Sequence, residues 1–220
     1  MHQTVQNLIQ IKEEIKEEIL KKNIADYEPN VIAVSKTFKI NKILPLIEHG
    51  HIDYGENKVQ EAVEKWSVIK KVNKNIKLHL IGRLQTNKVK FALKLFDYIH
   101  SLDSKKLADK ISHYQNEQNI QRKFFIQVNI GKEEQKSGVL ENEIQDFYDY
   151  CKNLNLNILG LMCIPPFDQD STEYFIKMRE LNNKIGLNDL SMGMSADYFE
   201  AIKYNATFVR IGSSIFGERS

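Results

Sequence analysis

Short apolar segments of strand character alternate with amphipathic helical segments eight times along this sequence. Continuous apolar runs rich in β-branched residues are typical of strands that are buried on both faces of a parallel sheet. The eight predicted strands are residues 31–34, 51–54, 78–82, 97–100, 124–130, 157–164, 190–194 and 207–211. Eight strand–helix units in 220 residues fit the (β/α)₈ barrel, whose members span roughly 200 to 400 residues.

The predicted fold is therefore α/β, a single (β/α)₈ TIM barrel over residues 1–220 with an extra N-terminal helix at 4–22. An open doubly wound sheet is the alternative. That fold commonly carries a Gly-x-Gly-x-x-Gly phosphate signature after its first strand, whereas this chain has Ser35-Lys36-Thr37 at that position. The barrel is favoured for this reason.

Charge and cysteine content narrow the classes of partner. A formal net charge of +2 provides no strong field to attract nucleic acid or a membrane surface. The N-terminus lacks an apolar signal region, and no apolar stretch approaches the about 20 residues that span a bilayer. Cys151 and Cys163 are far apart and lack metal-ligand spacing. We therefore expect a cytoplasmic protein that binds no metal, nucleic acid or membrane.

A lysine lies where the first strand leaves the core. Lys36 directly follows the buried run at 31–34 and Ser35. Desolvation lowers the pKa of a lysine, so that more of it is the neutral amine that attacks carbonyl groups. The simpler alternative is a side chain that only extends from the strand end into water.

Polar residues collect at the carboxyl ends of the predicted strands, the end of a barrel that carries function. They include Lys36, Glu56, Asn57, Gly82, Arg83, His100, Asn129, 191–195 and 210–214. Any barrel rim is partly polar because its loops are solvated, so the last strand is more informative than the count.

Gly212-Ser213-Ser214 follows the eighth strand and can open a short helix at 215–217. Backbone N–H groups at a helix start, with hydroxyls beside them, bind phosphate, and barrels often place a phosphate site after strands seven and eight. Ser195, which heads a predicted helix at 195–204, can add a hydroxyl. The alternative is that Ser195 and Ser213 are only N-caps.

Arg210 lies in an otherwise apolar strand. A guanidinium there should be aimed at a ligand or paired with a rim carboxylate, because an unpaired buried charge costs several kcal/mol. A phosphate site with a Schiff-base lysine across from it is the arrangement that pyridoxal 5′-phosphate requires.

The chain resembles the pyridoxal phosphate homeostasis proteins, which share the barrel of the alanine racemase N-terminal domain. The shared motifs run nearly end to end: 33–36, 55–57 with 59–61, 79–82, 84–88, 136–138, 160–162 before 164–165, 190–195, and 209–212 before 215–217. One departure is Arg83, where many members carry proline or histidine, and it bears only on the shape of that loop.

The resemblance implies a role for each site residue. Lys36 would hold the cofactor as a Schiff base, and Arg210 would face the pyridine nitrogen. Ser195, Gly212 and Ser213 would hold the phosphate. The remaining candidates are Asn57, which would line the same pocket, and Ser191 and Met192, which the sequence leaves unranked.

The expected function is binding without substantial turnover. Guanidinium is never an acceptor, so an arginine opposite the ring nitrogen disfavours its protonation and weakens the ring as an electron sink. Alanine racemases also use a tyrosine from a second domain of a partner subunit, for which a chain that ends at Ser220 leaves no room. We therefore expect a monomer that serves intracellular vitamin B6 homeostasis, with PLP-dependent apo-enzymes as recipients.

Two other functions stay open at this stage. One is a PLP-dependent amino-acid racemase or lyase that uses His79 or His100 as its second base. The other is a cofactor-free aldolase, in which Lys36 attacks a sugar phosphate at the same anion site.

Overall fold

The structure is a computed structural model that describes residues 1–21 and 27–218. Eight parallel strands close into a barrel in chain order, which confirms the predicted (β/α)₈ architecture. The strands are β1 Asn30–Val34, β2 Asp53–Glu56, β3 Lys77–Leu80, β4 Tyr98–Leu102, β5 Lys123–Val128, β6 Asn157–Cys163, β7 Asp189–Met194 and β8 Phe208–Ile211. Strand β1 pairs with β8, from Asn30 opposite Phe208 to Ala33 opposite Ile211. This pairing closes the barrel.

The helices surround the sheet and an extra one precedes β1. They are α1 Gln3–Lys21, α2 Ile40–Glu48, α3 Val59–Val72, α4 Val89–Leu95, α5 Lys105–Gln118, α6 Ile144–Asn153, α7 Thr172–Lys184, α8 Tyr198–Lys203 and α9 Ser213–Phe216. Lys22, the last residue of the predicted N-terminal helix, lies outside the described residues. None of the helices in the described ranges is long and apolar enough to cross a membrane.

Helix α1 covers one side of the barrel because its apolar residues recur at helical spacing. Leu8, Ile11 and Ile15 are buried, and the helix packs against α2, α8 and α9. A hydrogen bond from Asn7 Nδ2 to the carbonyl of Ile215, 2.9 Å long, attaches it near the end of β8.

The apolar residues form two layers. The larger layer lies between the sheet and the helices and includes Trp66 and Phe96. The smaller fills the barrel interior, the lumen, with Ile32, Val34, Tyr98, Phe125, Met162 and Phe208. The interior is therefore a packed core, as in other barrels of this class, and its polar members need partners.

Several predicted boundaries differ from the observed ones, including that of β2, which is Asp53–Glu56 rather than 51–54, and two further errors affect the site. Strand β4 continues to Leu102, which moves His100 from the rim to the middle of the strand. Helix α8 begins at Tyr198 rather than Ser195. The Asp197 carboxylate accepts the N–H of Met194 at 2.6 Å, and the Asp197 N–H donates to the Met194 carbonyl at 3.0 Å. These bonds make a turn of the segment that the sequence suggested was helical.

Candidate functional site

Lys36 lies in the turn that directly follows β1 and is half-buried. The next residue, Thr37, has a φ of 68°, which is uncommon for a β-branched residue. Its N–H donates to Glu61 Oε1 at 2.7 Å, and its hydroxyl donates to the Lys36 carbonyl at 2.5 Å. The backbone beside Lys36 is thus held by helix α3.

A buried ion pair supports the same turn. Glu56, at the end of β2, has no solvent exposure. Its Oε1 atom accepts hydrogen bonds from Ser35 Oγ at 2.8 Å, Lys65 Nζ at 2.9 Å and Trp66 Nε1 at 2.9 Å. Lys65 Nζ also donates to the Ser35 carbonyl at 2.9 Å. The pair joins β1, β2 and α3 immediately before Lys36.

Replacing Lys65 with methionine should lower the free energy of unfolding by about 3–5 kcal/mol, because it leaves the buried Glu56 carboxylate without a countercharge. Urea denaturation measures this change. Lys71→Met, at an exposed position of the same helix, is the matched control. Equal losses in the two variants would contradict a structural role for the pair.

Arg210 occupies the lumen near the carboxyl end of β8 and is only 3% exposed. Its Nη1 donates to Ser191 Oγ at 2.7 Å and its Nη2 to the Cys163 carbonyl at 2.8 Å. Burial lowers the pKa of Arg210, while the nearby charge of Asp197 opposes that effect. No carboxylate in the described ranges forms an ion pair with it. The sequence left open an ion pair between Arg210 and a rim carboxylate. In the structure, hydrogen bonds to Ser191 and Cys163 hold this side chain instead.

The loops after β7 and β8 meet at one hydrogen bond. The N–H of Gly212 donates to Ser195 Oγ at 3.2 Å, so Ser195 links the two loops although it does not begin a helix. Helix α9 starts at Ser213, and both Ser213 and Ser214 are exposed. The first N–H groups of a helix have no intrahelical acceptor, so this corner offers donors to an anion.

Asn57 follows β2 and is half-buried at the same end of the barrel. The loop after β3 reaches it by way of Gly82. An ideal Cβ at Gly82 would lie 2.3 Å from the Asn57 carbonyl oxygen, so only glycine permits this approach. Arg83, the residue that departs from the family pattern, is exposed.

The six residues singled out from the sequence lie at the carboxyl ends of β7, β8, β1 and β2, which are neighbours around the barrel. They are Lys36, Asn57, Ser195, Arg210, Gly212 and Ser213. The set combines an amine, a guanidinium, an amide, hydroxyls and backbone N–H groups. Its chemistry suits a ligand that carries both an aldehyde and a phosphate. In the described ranges no group of three or more metal-ligating side chains is present.

Sequence reasoning left two neighbours unranked, and the structure separates them. The Ser191 side chain contacts Arg210 in the lumen, whereas Met192 belongs to the layer between sheet and helices. Alternation along a strand explains the difference, because successive side chains point to opposite faces.

The two histidines considered as rim bases lie inside the barrel. His79 and His100 are fully buried, and each ring nitrogen has a partner in the lumen. One partner is Asp53, which sequence reasoning missed. The sequence did contain a signal for this interaction. Asp53 in β2 and His79 in β3 occupy positions that face the barrel interior, where apolar residues are expected.

Known proteins share this architecture and are similar to this chain in sequence. The family profile described as "Alanine racemase, N-terminal domain" matches residues 8–220. A pyridoxal phosphate homeostasis protein of Aquifex aeolicus is 42% identical over 199 residues, covering 86% of each chain. The human protein of that name is 38% identical over 213 residues, covering 87% of this chain and 77% of its own. PipY from Synechococcus elongatus, whose structure was solved with PLP bound, is 30% identical, with a TM-score of 0.79, covering 92% of this chain and 100% of PipY.

The match therefore covers almost the whole barrel, including every strand end that contributes to the candidate site. This chain belongs to the pyridoxal phosphate homeostasis protein family, which is built on the alanine racemase N-terminal domain.

Proposed function

We propose that this protein binds pyridoxal 5′-phosphate at the carboxyl end of its barrel and serves intracellular vitamin B6 homeostasis. The observation that carries the proposal is the convergence of Lys36, Arg210 and the Gly212–Ser213 corner on adjacent strands β1 and β8. Membership of a family whose named relatives are homeostasis proteins, together with PLP in the PipY structure, supports it.

Each residue would have a distinct task. Lys36 would hold the cofactor covalently through Nζ, and Arg210 would donate toward the pyridine nitrogen. Ser195, Gly212 and Ser213 would hold the phosphate, with the two hydroxyls as donors, and Asn57 would close the side of the pocket next to β2. When bound, the cofactor supplies a reactive aldehyde and an electron sink.

We propose that turnover is not the main role. Arg210 is a donor that disfavours protonation of the ring nitrogen, so that the ring stabilises negative charge poorly. His79 and His100 would have to act from inside the lumen, where their nitrogens are already engaged. Incubating the protein and PLP with each chiral proteinogenic L-amino acid should leave the optical rotation unchanged, and steady loss of rotation with any of them would establish a PLP-dependent racemase or lyase.

The cellular setting follows from the same reasoning. We propose a cytoplasmic monomer, a single domain over residues 1–220, that passes its cofactor to PLP-dependent apo-enzymes. Both cysteines are free and buried. Burial raises the pKa of Cys151 and of Cys163 to about 12, so neither thiol is reactive, which suits a reducing compartment.

Ser213→Asp should weaken PLP retention by about tenfold or more, because it sets a carboxylate beside the phosphate. Equilibrium dialysis measures the affinity. Ser213→Asn is the matched control, since it has the same size without the charge and should change affinity far less. Equal affinities for the aspartate and asparagine variants would remove the phosphate assignment from this corner.

A further inference from the structure

A continuous chain of polar side chains crosses the lumen from one end of the barrel to the other. Its members, here called the lumen chain, are Asp53, His79, His100, Ser191 and Arg210. The separations are 3.0 Å from Asp53 Oδ1 to His79 Nε2, 3.0 Å from His79 Nδ1 to His100 Nε2, 2.8 Å from His100 Nδ1 to Ser191 Oγ, and 2.7 Å from Ser191 Oγ to Arg210 Nη1. Asp53 begins β2, whereas Arg210 precedes the last residue of β8.

The direction of every hydrogen bond in the lumen chain follows from the charge of Asp53 at one end. Burial raises the pKa of Asp53, but the hydrogen bond from His79 and the neighbouring basic groups, Lys77 among them, together outweigh it, so the pKa is lowered overall and the carboxylate is ionised. Burial lowers the pKa of His79 and, more strongly, of His100, so both rings are neutral. A carboxylate only accepts, and therefore His79 carries its hydrogen on Nε2.

The donors and acceptors of the other members follow one after another along the lumen chain. His79 Nδ1 must accept, so His100 donates from Nε2. His100 Nδ1 must then accept, so it takes the hydroxyl hydrogen of Ser191, whose oxygen accepts from Arg210. Each donor points away from Arg210 and toward Asp53. The negative ends of these dipoles face the guanidinium and the positive ends face the carboxylate, which stabilises both charges without direct contact.

Aromatic neighbours keep the two rings in place. His79 stacks on Tyr98 with ring centroids 4.3 Å apart, and His100 stacks on Phe125 at 4.4 Å. Phe208 contacts both rings. Because a packed core resists ring reorientation, the side chains of the lumen chain have a single arrangement.

We propose that the lumen chain, which starts at Asp53 on the opposite end of the barrel, positions Arg210 and holds its donors in one orientation at the mouth. The members between the two charges are positioning residues. This inference extends the proposed function, because the group that Arg210 would face is the ring nitrogen of PLP.

The first test needs no cofactor. Nitrogen-15 NMR of the histidine side chains should show His79 and His100 with hydrogen on Nε2 in the wild-type protein. Asp53→Asn removes the charge at nearly constant size, and Asp53→Leu removes the polar group. In Asp53→Leu, which offers His79 no acceptor, His100, two groups away, should populate the Nδ1–H form. In Asp53→Asn the amide oxygen can still accept from His79 Nε2, so the tautomers should change less. A different wild-type tautomer, or an unchanged His100 in a folded leucine variant, would overturn the proposal, and if the leucine variant does not fold, the wild-type tautomers and the Arg210 exchange rates decide.

The guanidinium itself gives a second measure in the same samples. Side-chain N–H groups of Arg210 should exchange with water about tenfold faster in Asp53→Asn, equivalent to about 1.4 kcal/mol of lost hydrogen bonding. His51→Gln is the matched control, because the buried His51 hydrogen-bonds the backbone carbonyl of Asp53 rather than its carboxylate and packs edge-on against Tyr54. It should leave the Arg210 exchange rates and both tautomers unchanged. Equal exchange in the Asp53→Asn and His51→Gln variants would overturn the positioning role.

A third measure separates this inference from the proposed function. After addition of PLP, the absorption maximum of the bound chromophore should shift in Asp53→Asn relative to wild type and His51→Gln. An unshifted maximum with bound PLP would overturn the link to the ring. If wild type binds no PLP, the proposed function fails, and the NMR measurements still decide whether the chain positions Arg210.

Discussion

Lys36→Ala is expected to abolish the covalent PLP adduct that borohydride reduces and traps, while the barrel stays folded. The Nζ atom is the nucleophile that would bond to the aldehyde, and alanine offers none. The pairing of β1 with β2 and β8 involves residues 30–34, before the substituted position, so we expect the strand pairing to persist in the variant. Reduction with borohydride, followed by mass mapping of the peptides, measures the loss.

Two further variants make that result specific. Lys39→Ala removes an exposed lysine three residues later and should leave labelling at Lys36 intact. Lys36→Arg keeps a positive charge but cannot form the bond, so it should retain PLP without covalent attachment. Equal yields of reduced adduct in Lys36→Ala and Lys39→Ala would show that the attachment is elsewhere.

The fold could be predicted because its signal is local and repeated. Each strand is a short apolar run and each helix has an apolar stripe, so eight independent patterns agree on one architecture. The errors at α8 and β4 occurred where polar side chains compete with the pattern of apolar residues. Asp197 captures the Met194 N–H and delays α8, and no periodicity of apolar residues reveals such a bond. At β4, polar His100 and Ser101 concealed a strand that continues to Leu102.

The site was predictable only in part, for a geometric reason. Residues at strand ends, such as Lys36 and Ser213, can be assigned to the mouth because all parallel strands end on the same side. The partners of Arg210 could not be assigned. They come from β6 and β7, and the contact depends on the register around the closed barrel and on which side chains face inward. A one-residue change of register would exchange Ser191 for Met192.

The buried histidines should make the protein lose stability steeply in mild acid. Burial, with the charge of Lys12, lowers the pKa of His51 to about 4 although Asp53 opposes the shift. Burial also lowers the pKa of His79 and His100. Unfolded histidine has a pKa of about 6.5, so below that pH the unfolded chain binds protons that the native chain excludes. Stability therefore falls as the pH decreases, at about 1.4 kcal/mol per pH unit for each histidine.

The slope reaches its full value about one pH unit below 6.5, where unfolded histidine is protonated, and the His51 contribution of about 1.4 kcal/mol per pH unit persists to about pH 4. His51 alone therefore removes about 3 kcal/mol of the roughly 5–15 kcal/mol that stabilises a typical domain, and His79 and His100 act in the same direction. Urea denaturation at a series of pH values measures the slope. His51→Gln should reduce it by about 1.4 kcal/mol per pH unit between about pH 5.5 and 4, whereas His113→Gln, at an exposed position, should not change it. A slope that is the same in wild type and His51→Gln would mean that this histidine is already protonated in the native barrel. The neutral rings assigned to His79 and His100, which depend on the same effect of burial, would then lose their support.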